Sequence, residues 1–106
     1  MSDRALDGVR VIEFADETAA YCGRLLADLG AEVIKVEPPG GGRLRRARPF
    51  VKGHEGDPNA SLAFWVHNTS KKSVVLDLET DEGRRLARKL ALTADIVLED
   101  CPVGYL

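Results

Sequence analysis

A short run rich in β-branched residues ends at Val36 and is followed, after Glu37, by two prolines and three glycines. Val33, Ile34 and Val36 favour a strand. Gly30, just before the run, is suited to closing a helix because glycine readily adopts a left-handed backbone. Pro38 and Pro39 then prevent strand or helix from continuing. The chain thus passes from a helix through a strand into a flexible loop, and the carboxyl end of a strand is where open α/β sheets bind ligands.

Strand and helix patterns alternate along the rest of the sequence. Runs of β-branched and aliphatic residues predict strands over residues 9–14, 31–36, 73–78 and 95–99. Helices are predicted over residues 18–29, over 61–68, and after Thr80, whereas residues 37–60 are predicted to be irregular. Strands that alternate with helices in this way imply a parallel, wound α/β sheet of the order βαβαβαβ.

The predicted helices carry recognisable signals. Residues 18–29 place one apolar stripe at helical spacing, made of Cys22, Leu25, Leu26 and Leu29. Ser61 and Thr80 are suitable N-caps, and two acidic residues after Thr80 lie at the positive end of that helix's dipole. Leu86, Leu90 and Ala94 face one way on this helix, and arginines and a lysine cover most of its opposite face.

Composition narrows the function classes. The 106 residues allow at most one domain, and a net charge of −2 gives no field that would draw the chain to nucleic acid or an anionic membrane. No apolar run approaches about 18 residues, and no signal-peptide pattern is present, so we expect neither membrane insertion nor secretion. Cys22 and Cys101 lie far apart without a histidine pattern, which predicts reduced thiols, a cytoplasmic location and no metal site.

Two polar loops are candidate anion-binding segments. Residues 40–48 read GGGRLRRAR, in which glycines let the backbone approach a ligand and arginines pair with phosphate oxygens. A solvated surface loop explains the same residues equally well. Lys71 lies in a polar loop that leads into the third predicted strand. Its ammonium could neutralise phosphate as a point charge, although such a loop is more often a solvated turn. The acids Asp16 and Glu17, at the predicted start of the first helix, would repel a phosphate there.

The ordered blocks of the sequence resemble the start of family III CoA-transferases, the group of formyl-CoA transferase, carnitine CoA-transferase and α-methylacyl-CoA racemase. Residues 6–11 read LDGVRV and residues 26–39 read LADLGAEVIKVEPP; the latter follows the family pattern almost without a break. Later blocks of the family resemble residues 73–78 (SVVLDL), 82–84 (EGR) and 94–99 (ADIVLE). The resemblance covers nearly the whole chain.

This resemblance implies a Rossmann-like domain, of which residues 1–106 form the N-terminal, CoA-binding portion, and an interlocked homodimer. It implies an enzyme that moves coenzyme A between carboxylic acids, or epimerises an acyl-CoA. In the transferases an aspartate attacks the acyl-CoA to form covalent intermediates. No aspartate here occupies that place, so we expect the nucleophile outside this chain. Four strands with two long helices also leave sheet surface that further sequence or a partner subunit must cover.

The resemblance also assigns candidate CoA contacts. Leu76 matches the leucine beside adenine, and Arg46 matches the arginine of the family's glycine-rich loop. Arg43, Arg45 and Lys71 are further candidate phosphate partners, and Asp100 and Cys101 are candidate cofactor-binding residues at the end of the fourth predicted strand.

Several residues depart from the family pattern at ligand-facing positions. Arg43 replaces an aspartate, Glu79 a basic residue, Asp100 a neutral one and Cys101 an aromatic one, while Ala19-Ala20 replace Gly-Pro. Two hypotheses follow: the N-terminal part of an active CoA-transferase or racemase, or a degenerate, non-catalytic half that acts as a scaffold for an active subunit. A free-standing regulatory α/β domain is a third interpretation.

Overall fold

The computed structural model describes residues 4–106. Its strands are β1 (Arg10–Phe14), β2 (Glu32–Glu37), β3 (Lys72–Val75) and β4 (Ile96–Glu99). Its helices are α1 (Ala20–Asp28), α2 (Leu62–His67) and α3 (Asp81–Ala91), and a 3₁₀ turn covers Arg43–Arg46. Every predicted element is present, and the strands alternate with the helices as the sequence predicts.

All four strands are parallel and form one sheet in the order β3-β2-β1-β4. The register pairs Ile12 with Ile34 on one side of β1 and with Val97 on the other. The chain moves from β1 outwards to β2 and β3, then returns across the sheet to β4. This reversal places a topological switch point between β1 and β4, and ligands bind beside such points at the carboxyl ends of the strands.

The two faces of the sheet are covered by different helices, because alternate strand residues point to opposite faces. On one face Val11 and Val33 pack with Ala27 of α1. On the other face Ile12 and Ile34 pack in a cluster that includes Ala87 of α3, with Leu76, Leu78, Leu90, Ala94 and Cys101 partly buried against it.

The predicted apolar stripe of α1 is not the surface that meets the sheet. Its buried residues are small, namely Ala20, Gly23 and Ala27. Of the predicted stripe only Leu26 packs on the core, whereas Cys22, Leu25 and Leu29 are exposed. The reason is a charged side chain beneath the helix: a Cβ atom on Gly23 would overlap the carboxylate of Glu13. Helix α1 therefore presents its narrow face to the sheet.

The caps of the other helices match the sequence prediction. The Ser61 hydroxyl accepts a hydrogen bond from Phe64 N at 3.2 Å, and the Thr80 hydroxyl accepts one from Gly83 N at 3.0 Å. Strand β3 ends earlier than predicted, at Val75. Beyond it the Leu76 amide still donates to Glu37 O, and the chain then turns at residues 77–80.

Several large apolar side chains of the described residues remain exposed. Val75 on edge strand β3 is 60% exposed, and Val97 on edge strand β4 is 49% exposed. Tyr21, Leu25 and Leu29 on α1 are about as exposed. Surfaces of this kind are typical of those that another segment or subunit covers.

Candidate functional site

A cleft of about 390 Å³ opens at the carboxyl edge of the sheet. Segments that follow all four strands form its walls, as the topology requires. The lining residues are Phe14, Ala15, Asp16, Lys35, Val36, Glu37, Pro38, Gly42, Arg43, Leu76, Asp77, Leu78, Glu79, Asp100, Cys101, Pro102 and Tyr105. The cleft thus combines an aliphatic wall with one arginine and several carboxylates.

Four of the residues predicted to contact CoA line this cleft together. They are Leu76, Arg43, Asp100 and Cys101. Leu76 is half-buried among the aliphatic residues of the α3 face. The other three predicted residues, Arg45, Arg46 and Lys71, are not among the residues that line the cleft.

Two guanidinium groups of the glycine-rich loop face solvent. The Arg43 side chain is 84% exposed, and its Nε lies 3.2 Å from the Glu17 carboxylate, which is also largely exposed. Arg46 is exposed and donates a hydrogen bond from Nη1 to Gly42 O at 3.0 Å. Because surface ion pairs contribute little, Glu17 holds the Arg43 guanidinium only weakly.

The structure turns Arg45 away from the cleft. Its Nε and Nη2 donate to the two carboxylate oxygens of Glu37, at 2.6 and 2.8 Å. Its guanidinium also lies over the Phe64 ring, 3.9 Å from the centroid, and this contact adds a cation–π attraction. Burial would raise the pKa of Glu37, but hydrogen bonds from Arg45 and Ser73 hold that pKa below its usual range. Arg45 therefore fastens the glycine-rich loop to the end of β2.

Lys71 also lies inside the protein. Its Nζ is 2.8 Å from Glu13 Oε1 and donates to Ala20 O at 2.9 Å and to Asn68 Oδ1 at 2.6 Å. Lys35 donates to the same Glu13 carboxylate at 2.8 Å. Burial lowers the pKa of Lys71, although the hydrogen bond with Glu13 opposes this shift. The lysine ties β1, α1 and the segment after α2 together, and its ammonium does not reach the cleft.

Two of the three aspartates that line the cleft accept hydrogen bonds from backbone amides of other loops. Asp100, after β4, accepts hydrogen bonds from the amides of Asp16, Thr18 and Ala19, each at about 3.0 Å. Asp16 in turn accepts from the amides of Arg43 and Leu44, at 2.7 and 3.1 Å. Sequence reasoning placed Asp16 at the start of α1; its carboxylate instead holds the glycine-rich loop.

These two contacts were missed because they join distant segments. Asp100 and Asp16 are 84 positions apart. The one signal available in the sequence is that each aspartate follows a predicted parallel strand by one or two residues, where loops from neighbouring strands meet.

Cys101 and Glu79 complete the cleft wall. Burial, together with the charges of Glu99 and Asp100, raises the pKa of the Cys101 thiol. Its Sγ lies 3.3 Å from Phe14 O, as a donor would. The raised pKa favours the neutral thiol over the thiolate, which is the nucleophilic form of cysteine. Glu79 accepts a 2.6 Å hydrogen bond from the Tyr105 hydroxyl across the mouth of the cleft.

Two features are absent from residues 4–106. No group of three or more His, Cys, Asp or Glu side chains in this range is arranged to hold a metal ion. None of the helices in the same range has the length and apolar character needed to cross a bilayer.

Comparison with known proteins adds the family. The model of CoA-transferase family III matches residues 6–106. The succinate–glutarate CoA-transferase of Agrobacterium fabrum is 46% identical over 98 residues, which are 90% of this chain and 24% of that protein. The succinyl-CoA–D-citramalate CoA-transferase of Chloroflexus aurantiacus is 45% identical over 106 residues, which cover 97% of this chain and 25% of that protein.

Solved structures agree in fold. A CAIB/BAIF family protein from Brucella suis superimposes with a TM-score of 0.84 at 37% identity, covering 97% of this chain and 27% of its own. Rv3272 from Mycobacterium tuberculosis superimposes with a TM-score of 0.80 at 41% identity, covering 95% of this chain and 28% of its own. The chain spans about a quarter of the length of these relatives. It belongs to CoA-transferase family III.

Proposed function

We propose that residues 1–106 are the N-terminal, CoA-binding portion of a CoA-transferase, and that the cleft at the carboxyl edge holds the CoA moiety. The observation that carries this proposal is the combination, in a member of this family, of an aliphatic wall and a guanidinium rim at the switch point of a parallel sheet. CoA offers matching chemistry, since it joins a flat adenine to several phosphates.

The adenine and the phosphates of CoA each have a candidate contact. Leu76, half-buried on the wall, supplies an apolar surface for the adenine. Arg43 and Arg46, both exposed on the glycine-rich loop, are the candidate phosphate partners. Asp100 and Cys101 also line the cleft; the Asp100 carboxylate is engaged by three backbone amides, and burial raises the pKa of the Cys101 thiol.

The proposed reaction is transfer of CoA from a CoA thioester to a carboxylic acid. An aspartate that lies outside these residues would attack the thioester and form a covalent aspartyl intermediate. Transfer rather than epimerisation is supported by the names of the relatives, which are CoA-transferases. The protein would work in the cytoplasm as a homodimer or paired with a further CoA-transferase segment, whose contact would cover the exposed apolar side chains of β4 and α1.

Isothermal titration of CoA into the chain tests the binding site. We expect saturable binding that weakens about tenfold or more in Arg43→Ala/Arg46→Ala, because hydrogen bonds to charged groups contribute about 1.5–3 kcal/mol each. Arg48→Ala is the matched control: it removes the same charge from another exposed arginine of the same segment, one that is not a candidate CoA contact. Dephospho-CoA, which lacks the 3′-phosphate, identifies the phosphate that the arginines contact. The absence of heat and of thermal stabilisation at millimolar CoA would contradict the proposal.

A second candidate function is a non-catalytic scaffold half of the same family. The acidic side chains around the cleft favour it, since Asp77 and Glu79 face a site that would hold an anionic ligand. One relative, 39% identical over 97 residues, is a subunit of the succinyl-CoA:(R)-benzylsuccinate CoA-transferase of Thauera aromatica. A chain that is not stabilised by CoA, yet forms a defined complex with a purified transferase subunit, would support this alternative. If the chain is a monomer by light scattering and binds neither CoA nor the transferase subunit, the interpretation as a free-standing regulatory domain is supported.

A further inference from the structure

We propose that Asp100 and Asp16 are positioning residues that act in series to hold Arg43 at the rim of the cleft. The proposal rests on the CoA-binding function proposed above. It starts from the observation that neither carboxylate points freely into the cleft, although both residues line it. Each carboxylate instead accepts hydrogen bonds from backbone amides of a neighbouring loop.

The first step of the series joins β4 to the loop after β1. The carboxylate of Asp100 accepts from the amide of Asp16 with both oxygens, at 3.0 and 3.1 Å, and from the amides of Thr18 and Ala19 at 3.0 Å. Hydrogen bonds from several backbone amides to one carboxylate are strong and directional. They fix residues 16–19 in one conformation at the amino end of α1.

The second step joins that loop to the glycine-rich loop after β2. With its own amide held by Asp100, Asp16 directs its carboxylate to the amides of Arg43 and Leu44, the first residues of the 3₁₀ turn. Gly42, which precedes Arg43, leaves room for this contact. A Cβ atom on Gly42 would lie 2.9 Å from Asp16 Oδ1. Gly42 has an ordinary negative φ of −79°. Glycine is therefore needed here because it has no side chain, and not because of its backbone flexibility.

As a consequence, the backbone position from which the Arg43 side chain extends is fixed. Its side chain is 84% exposed, and within residues 4–106 its guanidinium pairs with the exposed Glu17 carboxylate. The side chain itself is therefore weakly held, and the backbone anchor at Asp16 determines where the guanidinium can reach. Displacement of an anchoring group by about 1 Å is enough to weaken a charged contact strongly. The two aspartates thus set the position of a cation that contacts the ligand, without touching the ligand themselves.

Amide hydrogen exchange of the chain tests the series without any ligand. In Asp16→Ala we expect the amides of Arg43 and Leu44 to lose protection. In Asp100→Ala we expect the amides of residues 16–19 to lose protection, and those of Arg43 and Leu44 to follow, although Asp100 does not contact them. Glu55→Ala is the matched control, because Glu55 also binds a backbone amide, that of Gly53, in the same irregular segment. Loss confined to residues 16–19 in Asp100→Ala would overturn the series.

A double-mutant cycle with CoA tests the link to Arg43. We expect Asp16→Ala to weaken CoA binding about tenfold in the parent chain and less than about twofold in the Arg43→Ala background, since the two residues act as one unit. Asp16→Asn, which keeps one acceptor oxygen, should restore part of the affinity. Equal weakening in both backgrounds would show a general structural role and overturn the proposal. A parent chain that does not bind CoA would refute the proposed function instead, and the exchange experiment would still decide the series.

Discussion

Replacement of Arg45 by methionine tests whether a buried ion pair fastens the glycine-rich loop to the sheet. The Arg45 and Glu37 side chains are 17% and 3% exposed, and two hydrogen bonds of 2.6 and 2.8 Å join them. Methionine keeps an apolar side chain against the Phe64 ring but removes the charge. The Glu37 carboxylate then stays buried, with the Ser73 hydroxyl as its remaining close partner.

The expected loss follows from the geometry. Two unit charges about 4 Å apart attract each other by about 4 kcal/mol at an effective dielectric constant near 20. Removal of one partner from a buried pair costs about 3–5 kcal/mol in other proteins. We therefore expect Arg45→Met to lower the free energy of unfolding by about 3–4 kcal/mol. Such a loss is a large part of the roughly 5–15 kcal/mol typical of a domain.

Urea unfolding at neutral pH provides the measurement, followed by circular dichroism and by the fluorescence of Trp65, the sole tryptophan. Arg46→Met is the matched control: the same chemical change at the next residue, where the guanidinium is exposed, should cost less than about 1 kcal/mol. The double variant Glu37→Gln/Arg45→Met should recover part of the loss, because no charge is left buried. Equal midpoints for Arg45→Met and Arg46→Met, with equal slopes, would refute the reasoning.

Three further predictions follow from other buried contacts. Gly23→Ala should destabilise the chain by about 1–3 kcal/mol despite alanine's higher helix propensity, since the new methyl overlaps the Glu13 carboxylate; thermal unfolding tests this. Burial lowers the pKa of Lys71 below its ordinary 10.5, so the unfolded chain binds more protons between the folded-state pKa and that value. The contribution of Lys71 to the free energy of unfolding should therefore rise with pH across this window, so in urea titrations the difference in stability between the parent chain and Lys71→Met should grow with pH. Ser61→Ala should cost about 2 kcal/mol in chemical unfolding, because it removes the cap on Phe64 N and a buried hydroxyl.

The strands and helices could be predicted because their signals are local. The β-branched run ending at Val36 and the caps Ser61 and Thr80 each lie within a few residues of the structure that they specify. The predicted parallel sheet and the resemblance to the CoA-transferase family are confirmed. The edge of the sheet at which the cleft forms could also be predicted, because parallel strands place all their carboxyl ends together.

The partners of the charged side chains could not be predicted, because they are set by tertiary contacts. Lys71 meets Glu13 across 58 positions, and Asp100 meets the Asp16 amide across 84. A sequence shows a lysine before a strand, but it does not show that the ammonium passes beneath α1. The small residues Ala20, Gly23 and Ala27 were the one available clue, since a helix that packs on a sheet through such residues leaves room for another side chain.

The charge of the cleft therefore differs from the charge that the sequence suggests. Counted along the chain, the loop after β2 offers a dense cationic patch and the loop after β1 offers repelling acids. In the fold, Arg45 is neutralised by Glu37, and the Asp16 carboxylate is stabilised by backbone amides. Of the arginines 43, 45 and 46, Arg43 and Arg46 stay exposed to a ligand, near the aliphatic wall and the carboxylates of Asp77 and Glu79. An anionic ligand with an apolar end fits these groups, provided that Asp16 and Asp100 stay bound to the backbone amides that stabilise their carboxylates.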